Sequence, residues 1–129
     1  MNGVANGLYG GDLPNQINTP WIDFSEQSTI VGWSTFTQKT IRYKVVGKMV
    51  FLQVQIVGTS NSTTTSISLP FISAISSQNI IFVQSAGTNQ AGVLAFAPNN
   101  NTATFLLIGG TSIAATGGKA IIFNTFYEI

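Results

Sequence analysis

Residues 49–57 alternate. Val50, Leu52, Val54 and Ile56 fall on one side of an extended backbone, and Phe51, Gln53, Gln55 and Val57 fall on the other. Successive side chains of a strand point to opposite faces, so this segment reads as a strand with one buried face. Residues 41–46 form a second strand just before it, with Gly47-Lys48 between the two. That spacing is a two-residue hairpin loop with glycine in the first central place, where φ must be positive.

Other strand signals follow at short intervals. Residues 64–69 are rich in β-branched side chains and stop at Pro70, and residues 80–84 are a short apolar run. Residues 93–97 and 103–108 flank Pro98-Asn99-Asn100-Asn101, a turn in which proline ends the ladder and asparagine accepts left-handed angles. Gly117-Gly118 precedes a last strand at 120–127, where Ile121, Phe123, Thr125 and Tyr127 alternate with Ile122, Asn124 and Phe126. Phe24 and residues 30–36 supply one or two more. No segment repeats its apolar residues at helical spacing. The expected fold is all-β, an antiparallel β-sandwich of jelly-roll type over residues 21–129, with 9 Phe and 2 Trp available for its core. Residues 1–20 are different. They hold four glycines, Pro14 and Pro20, and their larger apolar side chains (Leu8, Tyr9, Leu13, Ile17) keep no period. They read as an extended N-terminal arm that docks those four side chains on a neighbour during assembly.

Composition narrows the function. Of 129 residues only 7% are charged, against roughly 25% in an ordinary soluble domain. Thr, Ser, Asn and Gln make up 46 positions instead. So uncharged a surface protects a free monomer poorly from association, which points to an assembly. With 5 basic and 4 acidic residues, nucleic acid and anionic lipid have no electrostatic handle. No apolar stretch is long enough to cross a membrane as a helix.

Catalytic chemistry finds few groups. The chain has no His and no Cys, so it offers no imidazole base, thiol or soft metal ligand. The carboxylates Asp12, Asp23, Glu26 and Glu128 show no paired acid–base spacing. No phosphate-loop motif surrounds the glycine pairs. The expectation is a protein that is not an enzyme and has no catalytic, metal or cofactor site. Lys39, Arg42, Lys44 and Lys48 cluster within ten residues. Arg42 and Lys44 fall opposite Ile41, Tyr43 and Val45, as on the solvated face of an antiparallel pair. Trp21 and Trp33 are each a core, interface or sugar-stacking residue.

The motifs also come in a familiar order: Trp21, Gly32-Trp33, Tyr43-Lys44-Val45 with Gly47-Lys48 and Val50, Gly58-Thr59-Ser60-Asn61, Leu69-Pro70, and a terminal Phe126-Tyr127-Glu128. Residues 21–129 in this order resemble the small β-sandwich domains of bacteriophage tail fibres and other virion surface proteins. The resemblance implies a homotrimeric, non-enzymatic subunit that attaches or decorates particles. A twenty-residue arm in place of a long fibre shaft favours a head-decoration or head-fibre protein. The arm would bind other virion proteins. A host-surface glycan would meet the Asn-rich loops, through Asn61, Ser62 and Thr63 or through Asn99, Asn100 and Asn101. Residues 1–20 have neither the basic start nor the apolar run of a signal peptide, so the expected location is a virion surface assembled in the host cytoplasm. Two alternatives stay open: a pilus-like subunit that lends its N-terminal strand to the next copy, and a carbohydrate-binding module.

Overall fold

The computed structural model describes residues 17–62, 64–85, 87–107 and 117–129. Nine strands follow in order: β1 Ile22–Asp23, β2 Ile30–Val31, β3 Trp33–Val46, β4 Met49–Ser60, β5 Thr65–Ser73, β6 Ser77–Ser85, β7 Thr88–Phe96, β8 Asn100–Leu107 and β9 Gly117–Glu128. All pairings are antiparallel, and no helix occurs among the described residues. Hydrogen bonds link the strands into one sheet in the order β1-β3-β4-β9-β6-β7-β8-β5-β2.

That sheet is curled. β3 and β5 lie near opposite edges of it, yet Trp33 Nε1 donates to Thr65 Oγ1 at 3.2 Å and the Tyr43 and Phe71 rings stand 5.5 Å apart. The core fills the hollow. Ile41, Val50, Leu52, Val54, Ile56, Ile67, Leu94, Phe105, Ile121 and Tyr127 are buried, one face from each long strand. The Phe96 ring stacks on Tyr127 at 5.0 Å, and the Tyr127 hydroxyl donates to Phe71 O at 3.0 Å, binding β7, β9 and β5 across the interior.

Two turns hold the edges. The β3–β4 hairpin closes at Val46 and Met49, with φ +60° at Gly47, as its sequence requires. Gly32 is the only residue between β2 and β3, so the chain steps from one edge of the sheet to the other in a single residue. Its φ is +93°, and a Cβ there would lie 2.0 Å from Thr64 O. Only glycine fits such a corner.

Several expectations change in detail. β5 does not stop at Pro70. Its ladder to β8 breaks between Ser68 and Ser73, so the missing N–H of Pro70 interrupts no paired register. Gly117 and Gly118 belong to β9, opposite Ser60 and Thr59, rather than to a preceding turn. Residues 88–92 extend β7 into a hairpin with β6. Ile17–Thr19 lies along β3: Gly47 N donates to Ile17 O, Thr19 N to Val45 O and Val45 N to Thr19 Oγ1. The end of the expected arm is therefore edge cover for the sheet. Ile129 N also reaches this turn, donating to Lys48 O at 2.9 Å.

Candidate functional site

The strands are in register, so outward side chains line up in rows across the sheet. One row runs Asp23, Arg42, Gln53, Asn124 over β1, β3, β4 and β9. Toward the Gly47 turn the next row holds Lys44, Phe51 and Phe126, the two rings 6.2 Å apart. On the other side Thr40, Gln55 and Ile122 form a third. Between the rows is a shallow depression of about 350 Å³, lined by Thr40, Arg42, Gln53, Gln55, Ile122 and Asn124.

Local chemistry fixes the polar row. Asp23 Oδ1 accepts from Ser25 N at 2.9 Å and Ser25 Oγ at 2.6 Å, and Ser25 Oγ accepts from Ile41 N, which ties this turn to β3. These hydrogen bonds hold the Asp23 carboxyl below its usual range, so it stays ionised. Arg42 Nε donates to Gln53 Oε1 at 2.5 Å, and its guanidinium lies 5.3 Å from the centre of the half-exposed Trp21 ring.

Beyond Ile122 the outer face turns apolar. Phe82 pairs with Ala91, Ile80 with Val93, and Val93 with Leu106, so a stripe crosses β9, β6, β7 and β8. Ile80 is 74% exposed and Phe82 66%, and about half of Ile122 and of Leu106 is also in contact with solvent. These four side chains offer roughly 500 Å² of apolar surface, at the upper end of the largest patches on ordinary monomers.

The residues expected to act at a site are dispersed. Leu8, Tyr9, Leu13 and Thr63 lie outside the described residues. Ile17 is exposed, held by its backbone alone. Asn61 N donates to Gly32 O, and Ser62 Oγ accepts from Thr64 N. Asn99 takes φ +59° in its turn, Asn101 is exposed, and Asn100 Oδ1 is occupied by Thr102 N and Oγ1. The two loops stand at opposite ends of β5, since residue 61 precedes its start and Asn100 pairs with Ser73 at its end. They form no common surface.

Trp33 is a core residue and Trp21 a surface one. Lys39 Nζ donates to Ser28 O at 2.9 Å, a structural tie. Lys119, on the inner face of β9, is buried. Among the described residues no three of His, Cys, Asp and Glu come together as a metal site would need. No helix there is long and apolar enough to cross a membrane. No family model matches the chain, and no curated protein matches its sequence.

Proposed function

We propose that this chain is a structural subunit displayed on a bacteriophage particle and assembled as a homotrimer. The apolar stripe on the outer face carries the reading. A sheet face turned to water is normally polar. Here Ile80, Phe82, Leu106 and Ile122 leave an apolar centre around which the ~800 Å² each partner buries in a standard interface could form. With only 7% of residues charged, little opposes close approach of a second copy. The ordered motifs of residues 21–129 support the virion setting. The jelly-roll reading belongs with it: β9-β6-β7-β8 has the strand order of a Greek key, the unit jelly rolls repeat. Residues before Ile17 would serve as the anchor to the particle.

Light scattering with mass determination tests this. The wild-type protein should show the mass of three subunits at micromolar concentration. The double variant Ile80→Asp, Phe82→Asp should show that of one, with an unchanged circular dichroism spectrum, because both positions are solvent-exposed in the single chain. A wild-type mass of one subunit overturns the proposal.

A further inference from the structure

We infer that the row Asp23–Arg42–Gln53–Asn124, with Trp21 at its end, is a binding site for a neutral oligosaccharide. The row crosses four adjacent strands, which at the usual strand spacing is about 14 Å. Arg42, Gln53 and Asn124 of the row line the depression together with Thr40, Gln55 and Ile122, and Phe51 and Phe126 stand in the neighbouring row.

Its unused hydrogen-bonding groups define the ligand. Oδ1 of Asp23 is taken by Ser25, and Oδ2 accepts from no protein group among the described residues. Arg42 spends Nε on Gln53, and its two terminal nitrogens donate to no group among the described residues. The Gln53 amide nitrogen and the whole Asn124 amide have no protein partner among the described residues. In order, the row presents an acceptor, two donors, a donor, and an amide that does both. Hydroxyl groups on neighbouring sugar carbons also donate and accept at close spacing, and they complement this sequence.

Charge narrows the choice among glycans. Asp23 stands directly across from Arg42, and its lowered pKa keeps it ionised, so the two charges within the row offset each other and Lys44 in the neighbouring row adds one positive charge. A polyanion would meet the Asp23 carboxylate at one end, whereas an uncharged polyhydroxyl chain would not. The Trp21 ring supplies an apolar platform for the C–H face of a sugar. Arg42 is held between the indole and Gln53, so little side-chain freedom remains to be lost on binding. A solvated sheet face accounts for polar residues one at a time. It does not account for a guanidinium that both donates to Gln53 and lies over the Trp21 ring within a continuous polar row.

As a receptor contact this site deepens the virion reading, but it is separate from the apolar stripe, and the two can fail independently. The test is affinity electrophoresis and indole fluorescence of the full chain with gluco-, galacto- and manno-hexaoses and their polymers, with alginate and dextran sulfate as anionic controls. At least one neutral glycan should retard the protein and protect Trp21 from iodide quenching, while buried Trp33 stays unaffected. Trp21→Ala and Asn124→Ala should each weaken that binding roughly tenfold, with the subunit mass and melting temperature unchanged. Retardation by the anionic polymers alone overturns the inference. So does the absence of any neutral-glycan binding by protein of the wild-type mass, or binding that survives both substitutions. A change in mass without a change in glycan binding would instead count against the assembly reading.

Discussion

Tyr127 illustrates how single residues hold the curled sheet together. It is buried, its hydroxyl donates to Phe71 O, and the same oxygen accepts from Phe71 N at 3.2 Å. Burial pushes its pKa above the usual value of about 10. The folded state therefore holds the phenol proton more tightly than the unfolded chain does. The resulting stabilisation is complete below about pH 10 and is lost as pH rises beyond it. Tyr127→Phe should cost about 1 kcal/mol at neutral pH, from the lost hydrogen bonds. The variant should also lose stability less steeply than wild type between pH 9 and 11, which urea unfolding at each pH would measure. That Tyr127 shares a face with Ile121, Phe123 and Thr125 was legible in the alternation; which face turns inward was not, because Ile122 and Phe126 make the other face apolar as well. The different fates of Trp21 and Trp33 were not, because a lone tryptophan beside a turn has no period to read.

Among elements, hairpins were legible and edges were not. The Gly47-Lys48 loop sets Val46 against Met49, and this register places Arg42 opposite Gln53. Half of the polar row thus follows from the sequence. Asn124 and Asp23 join it only through the pairing of β9 with β4 and of β1 with β3, and no local signal specifies which distant strands pair. The β6–β7 hairpin escaped notice because Asn89, Gln90, Ala91 and Gly92 lack strand propensity and are held by their neighbours. Edge protection was likewise hidden. Residues 17–24 cover one end of β3, where an open edge would invite pairing with other chains. A chain beginning at residue 21 should be roughly 1–3 kcal/mol less stable than one beginning at residue 17, for want of the Ile17 and Thr19 hydrogen bonds. Denaturant midpoints at unchanged m-value would show this. Equal stability would mean that these bonds contribute nothing net.

At the scale of the whole molecule, the scarcity of charge has a measurable consequence. In the proposed assembly the contacts of Ile80, Phe82, Leu106 and Ile122 would be apolar, and salt screens only charges. The dissociation constant of the assembly should therefore stay within about a factor of two between ~0.05 and ~1 M sodium chloride. Ammonium sulfate should tighten it, because sulfate strengthens apolar burial. Sedimentation across the two salt series would check both. A steep loss of association in sodium chloride would place ionic contacts at the interface.

Ile17 and Ile129 both hydrogen-bond the Gly47-Lys48 turn. The first and last described segments thus meet at one end of the curled sheet, while Gly32 and Asn61 sit at the other end of β3 and β4. A partner fused after Ile129 would leave from this end, away from the Gly32 corner.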